Sequence, residues 1–290
     1  MKPTYIGKNE NLIFNSDTRF FNMKSTRDDK LSREDARLFS EYINGTFQTW
    51  NLSRQTKHNN INCTKTKSTP EFWEDFEKKA RDMGVDLIGY IPVLEEYIFY
   101  GLKVYGKNAV ILGQEMEWEP IKEAPSLLTA MESMRMQYVL GNTVLDLTKY
   151  LQEQGYKSES HVPFGGKLLV PAHVVAAHLA IKGQNGIIIT PEFGPRQRWG
   201  IITTDAEIPE TKKRDLSDLE KFCKNCGLCI KDCLGNAVYD KPIEKKGGVL
   251  THIDWKKCME TLRDRTSCSV CLKVCPPGIP KKSVRKDEII

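Results

Sequence analysis

The chain has 290 residues, 40% hydrophobic and 28% charged, which suits a globular protein with a sizeable core and leaves more length than one small domain uses. No run reaches the roughly 18 uncharged apolar residues that a membrane span needs; the best candidate, 168–181, carries His173 and His178, the polar stretch 1–10 has no secretory apolar core, and the chain is expected in the cytoplasm. The formal charge of +5 raises nucleic acid or an anionic surface as a partner, but Lys and Arg are scattered, with small groups only at Lys212-Lys213-Arg214 and Lys281-Lys282.

Residues 1–69 are polar and rich in Asn, Thr, Ser and Lys, and predict an arm with one short helix over 32–45, opened by Ser32-Arg33-Glu34-Asp35. Thr69-Pro70-Glu71-Phe72 opens a second helix that runs to about Met83, and Gly84 ends it before an apolar strand at 86–91. A further strand is predicted within 102–112. Over 124–154 a long helix places Leu140, Val144, Leu147 and Leu151 on one face and closes at Gly155. Another apolar helix is predicted at 170–181, then strands at 186–190 and 199–204. This alternation argues for a layered α/β (α+β) core over 70–210, followed by a charged linker at 207–218 and a cysteine-rich domain over 211–290.

Eight of nine cysteines lie between 223 and 275, in the runs Cys223-x2-Cys226-x2-Cys229-x3-Cys233 and Cys258-x9-Cys268-x2-Cys271-x3-Cys275-Pro276. In a cytosolic chain such spacing means metal, and three thiolates two residues apart wrap one face of a [4Fe–4S] cube while the fourth points to a second cube. The fourth cysteines then cross over, so Cys223, Cys226, Cys229 and Cys275 are expected on one cluster, and Cys258, Cys268, Cys271 and Cys233 on the other. A pair of zinc sites is the alternative that Cys-x2-Cys pairs allow, but consecutive x2, x2, x3 spacing suits a cube better. Leu234 stands where a proline usually follows the fourth cysteine, and Cys63 reads as an incidental thiol. Gly227 is expected to let the backbone approach a cluster. Two cubes at roughly −2 each would bring the charge to about +1, so the basic excess reads as internal compensation.

The stretch from Ile189 through Thr190-Pro191-Glu192-Phe193-Gly194-Pro195-Arg196-Gln197-Arg198, then Thr204-Asp205 and the cysteine runs, resembles the corrinoid-dependent reductive dehalogenases; so do Tyr138, Leu147, Leu151 and Gly155-Tyr156. Epoxyqueuosine reductase, a tRNA-modifying relative, shares the arrangement more loosely. The resemblance implies a nitroreductase-like core that binds cobalamin, a C-terminal domain like bacterial two-cluster ferredoxins, and a reductase acting on a small organic substrate. It also implies an external low-potential donor such as ferredoxin or flavodoxin, with tRNA modification and cofactor-free electron transfer as the competing readings.

On this resemblance Tyr138 takes the place of the active-site acid, whose phenol stays protonated until a basic anion appears; without it, Tyr138 reads as a core tyrosine. Arg196 and Arg198 follow a rigid Gly-Pro turn, so one guanidinium is expected to face the site, with Arg196 preferred as catalytic and Arg198 as cofactor-binding, although either could instead pair with Glu192. Gly165, Gly166, Gly183, Asn185 and Gly186 are the expected contacts to a flat cofactor. His161 and His173 read as hydrogen-bonded rather than catalytic, and Trp199 and Trp255 as packing residues near the clusters.

Overall fold

Residues 2–13, 31–245, 249–265 and 267–280 are described in the computed structural model; Lys281 and Lys282 lie outside them. In chain order they form β1 (Tyr5–Ile6), α1 (Arg33–Ser53), α2 (Pro70–Asp82), β2 (Leu87–Pro92), β3 (Lys103–Val104), β4 (Asn108–Glu115), α3 (Trp118–Lys122), α4 (Leu127–Glu153), β5 (Ser158–His161), α5 (Val170–Ala176), β6 (Ile181–Lys182), β7 (Ile188–Ile189), β8 (Gln197–Thr204), α6 (Ser217–Cys226), α7 (Leu228–Lys231), β9 (Val238–Lys245), β10 (Val249–Ile253), α8 (Trp255–Asp264) and α9 (Val270–Lys273). None of the described helices is long and apolar enough to cross a membrane.

The centre is a four-stranded antiparallel sheet in the order β2-β4-β8-β5, with Val110 opposite Ile202 and Ala109 opposite Thr203. Successive side chains point to opposite faces. Val110, Leu112 and Ile202 therefore pack with Trp73, Phe76 and Ala80 of α2 and with Leu140, Val144, Leu147 and Leu151 of α4. Ala109, Ile111, Ile201 and Trp199 pack on the other face with Val174, Ala177 and Leu179 around α5. The result is a mixed α/β sandwich. Both long helices start as their sequences require: Thr69 Oγ1 accepts from Phe72 N at 3.3 Å, with Pro70 in the first turn, and Ser126 Oγ accepts from Thr129 N at 3.2 Å.

The amino-terminal region departs from the expected arm. Helix α1 runs eight residues past Gly45 to Ser53 and packs along α4, because its polar residues are small and satisfy themselves on their own helix. Thr46 Oγ1 donates to Tyr42 O at 2.8 Å, Thr49 Oγ1 to Thr46 O at 2.9 Å and Ser53 Oγ to Trp50 O at 2.7 Å, so all three side chains are buried without loss of a bond. Gly141 leaves room for Thr49, and the seam closes tightly. Asn60 then joins the next segment to β5 by two bonds of 2.8 Å to the backbone of Ser158. The apolar helix expected over 170–181 stops at Ala176, since His178 takes a positive φ of 56° and turns the chain into β6.

Candidate metal centres and active site

The cysteine region hangs from the core by short elements with little core of their own: α6, α7 and α8 contain no buried residue. Gly227, at φ 67°, ends α6 and begins α7, turning Cys226 and Cys229 toward each other. No protein atom crowds the place of its Cβ, so the left-handed backbone, rather than a close approach of protein atoms, is what requires glycine there.

Eight thiols sort into two cavities. One is lined by Cys223, Cys226, Cys229 and Cys275, the other by Cys233, Cys258, Cys268 and Cys271, which is the crossed partition that the spacing predicts. Their electrostatics follow this division in part, since Cys229 also acts on Cys271 across it. Burial, then Cys223, Cys229 and Cys226, pushes the Cys275 thiol up to about 12, and burial with Cys223 and Cys226 pushes Cys229 up to about 11. Burial and then Cys268 and Cys233 push Cys258 up. Such thiols stay protonated until a metal takes the proton's place. Among the described residues no three His, Cys, Asp or Glu side chains converge on a point for a single metal ion; the thiols surround two cavities instead. Cys63 lies apart from both, its Sγ 3.4 Å from Gln152 O.

The glycine-rich loop and the Thr-Pro-Glu-Phe-Gly-Pro-Arg turn both grip this region. Gln184 Nε2 donates to Cys223 O at 3.1 Å and to Lys224 O at 2.8 Å, and Asn185 Nδ2 reaches Cys271 O at 3.5 Å. Asn185 lines the first cavity and Ile187 the second, so the loop is wedged between the two. Thr190 and Gly194 exchange backbone bonds of 2.9 and 3.0 Å, and this tight turn, with Gly194 at φ 54°, abuts the backbone of Gly278. Glu192 pairs with Arg214 at 2.6 Å, not with Arg196 or Arg198.

The two arginines have different surroundings. Arg196 is buried: Nη2 pairs with Glu115 Oε1 at 2.6 Å, Nη1 donates to Met116 O, Nε donates to Gly278 O, and the ring of Trp118 lies 5.8 Å away. Every face of its guanidinium is occupied by the junction between sheet and cysteine region, so it is a strut and is not free for a substrate. Arg198 instead lines the second thiol cavity; it donates to Ser133 Oγ, while its Nε is buried without a partner. Burial pushes its pKa down, against the pull of Glu132.

Tyr138 lines neither cavity. Its ring packs on Gly45 of α1, 6.3 Å from the Tyr42 ring, and borders an open groove with Arg37, Ser40, Glu41 and Asn44. Gly165 and Gly166 are elsewhere again: the first sits under the Trp50 indole and the second beside His161. Of the residues expected to contact a flat cofactor, Gly165 and Gly166 thus lie at the α1 side, and Gly183, Asn185 and Gly186 at the cysteine region. His161 bonds Thr203 Oγ1 at 3.1 Å and stands 4.0 Å from Glu159, which pairs with Lys167 in a buried polar knot; His173 accepts from Leu94 N at 3.2 Å. Trp199 packs in the core against Gly113, whereas Trp255 is half exposed. Glu115, Ser133 and Gln184 carried no sequence signal, because each acts through a partner at least 39 residues away.

No protein-family model matches the chain. Among curated proteins it is similar to a tetrachloroethene reductive dehalogenase of Desulfitobacterium hafniense, 28% identical over 251 residues that cover 79% of this chain and 43% of that protein. The corresponding enzyme of Sulfurospirillum multivorans is 26% identical over 179 residues, 59% of this chain and 35% of the other. The chain is a distant relative of the reductive dehalogenases. It spans less than half the length of these dehalogenases. The reductive dehalogenase fold is shared too: a solved catabolic reductive dehalogenase superposes with a TM-score of 0.69 at 19% identity, over 81% of this chain and 37% of that one. Epoxyqueuosine reductase from Bacillus subtilis superposes with a TM-score of 0.50 at 17% identity, over 73% and 66% of the two chains.

Proposed function

We propose that the chain is an iron–sulfur oxidoreductase of the reductive dehalogenase type, with a [4Fe–4S] cluster in each thiol cavity. The four-and-four division of the eight thiols carries this reading, since each cavity then offers one cube its full set of ligands. The clusters would supply one-electron steps. Phe222, half exposed, borders the first cavity, which makes that side the entry for a low-potential donor such as ferredoxin or flavodoxin. Ser133 and Arg198, on α4 and β8, wall the second cavity, which makes it the cluster that faces the core. Eight thiols kept free for metal suit the reducing cytoplasm.

The dehalogenase relatives favour reduction of a small organic substrate at a corrinoid. In a second reading the core docks a redox partner and the clusters serve it, and half-exposed Phe222 beside the first cavity is the observation that suits it. Anaerobically purified protein analysed for iron, acid-labile sulfide and cobalt decides between them. About eight irons with one cobalt supports the corrinoid reductase, about eight irons without cobalt supports the electron-transfer reading, and stoichiometric zinc without sulfide overturns both.

A further inference from the structure

Arg198 poses a problem of charge. Arg198 is partly buried, with its Nε wholly so, yet no described carboxylate lies within ion-pair distance of it. Glu132, the one acid that acts on it, is held by Arg135 at 2.6 and 3.0 Å and accepts from Glu117 N at 2.7 Å. The single side-chain bond of Arg198 goes to a neutral hydroxyl, Ser133 Oγ, and its Nε has no partner. A cation withdrawn from water without a counter-charge is destabilising. Among the described residues, the acidic groups around the surface that Arg198 leaves open are the thiols of Cys233, Cys258, Cys268 and Cys271, whose cavity it lines.

We propose that Arg198 is the built-in counter-charge of the cluster held by these four cysteines, and that it sets that cluster's reduction potential above the value the thiolates alone would give. The inference rests on the two-cluster reading above. A cube with four thiolates carries roughly −2 when oxidised and −3 after taking one electron from a low-potential donor, so a fixed cation in a poorly solvated cavity favours the reduced form. Among the described residues no matching cation lines the first cavity, whose core-side wall is made by Asn185 and Ile189. The two clusters are thereby made unequal. An electron that enters at the first is drawn to the second, toward α4 and β8.

The test is an EPR-monitored redox titration of anaerobic full-length protein with dithionite, comparing wild type, Arg198→Gln and Arg198→Lys, with iron and sulfide counted in each. In Arg198→Gln the reduction equilibrium of one cluster should move at least tenfold toward the oxidised form, which is 59 mV for one electron. Arg198→Lys should recover most of that shift, and the other cluster should not move in either variant. Selective loss of one cluster from Arg198→Gln, with its retention in Arg198→Lys, also supports a requirement for charge. Loss from both variants overturns the proposal, because shape and not charge would then be what the cavity needs. Full iron with a shift under tenfold overturns it as well, and leaves the two-cluster reading standing. Wild-type protein without about eight irons and sulfide overturns that reading itself.

Discussion

The ring of Tyr138 lies flat enough on the Cα of Gly45 that a methyl group there would collide with it. This contact fixes the ring in the seam between α1 and α4, at the edge of an open groove. If the groove admits the substrate and Tyr138 supplies its proton, Tyr138→Phe keeps the melting temperature and iron content of the wild type while turnover falls on the order of a hundred- to ten-thousand-fold, without rescue by more substrate. Gly45→Ala acts on the seam instead, and is expected to destabilise by about 1–3 kcal/mol in chemical denaturation through overpacking. Normal turnover in Tyr138→Phe would remove it from the chemistry.

Arg196→Met removes the ion pair to Glu115 and the bonds to Met116 O and Gly278 O at one stroke. The Glu115 side chain is 38% exposed and keeps its access to water, so the cost lies mainly in the buried Met116 and Gly278 carbonyls left without their charged donor, about 1–3 kcal/mol. Because these bonds join the sheet to the end of the second cysteine run, the loss should appear in denaturant unfolding together with faster proteolysis of the cysteine region. A variant as stable as the wild type would show that the junction is held by other contacts.

Cys275 follows Cys271 in sequence but shares a cavity with Cys223, Cys226 and Cys229. Cys275→Ser should therefore damage the cluster of the first run and spare the signal of the cluster on Cys258, Cys268 and Cys271. EPR of the reduced variant, compared with Cys226→Ser, distinguishes the two. Matching spectra are expected, and a Cys275→Ser spectrum that instead matches Cys268→Ser would reverse the partition.

Iron removal should be felt unevenly. The central sheet has two apolar cores, while α6, α7 and α8 bury nothing. Chelation under reducing conditions should leave the circular dichroism of the core elements in place and open 217–264 to protease, since the metal's binding energy is that region's folding energy. Cleavage spread evenly along the chain would contradict this.

His161 is wholly buried, and burial followed by the positive charge of Lys167 holds its pKa well below the usual imidazole value. Unfolded, it takes up its proton near pH 6.5, so below that pH the unfolded state binds more protons and stability falls as pH falls. Glu159, whose pKa burial raises, contributes the opposite slope in the carboxylate range. Between pH 7 and 5.5 the histidine dominates. Unfolding free energy of wild type should decline over that interval, and that of His161→Gln, from a lower starting value, should decline less; parallel curves would show that another group titrates.

The features that were readable in the sequence rest on local rules. The Thr69 cap, the i, i+4, i+7 face of Leu140, Val144 and Leu147, and the cysteine spacings all act within one or two turns of chain. What escaped depends on distant partners. The helix expected over 32–45 leaves out Thr46, Thr49 and Ser53, which α4 buries, with Gly141 leaving room for Thr49 and Met134 O accepting from Thr46. Arg196 reads as a reactive cation because Glu115 and Gly278 lie 81 and 82 residues away. The loop at 183–186 reads as backbone exposed to a flat cofactor, and its Gln184 and Asn185 side chains reach carbonyls of the cysteine region, partners that no spacing encodes.

The threading of the two cysteine runs has a consequence for the life of the protein. Cys233 leaves the first run for the second cavity, and Cys275 returns from the second run to the first, so the segments are closed through each other like links of a chain. With cubes in place, an oxidant that dissolves the one beside half-exposed Phe222 also unfastens the strand of protein that steadies its deeper neighbour. Assembly faces the same coupling in reverse: the machinery that loads iron meets a chain in which neither link is closed until both are.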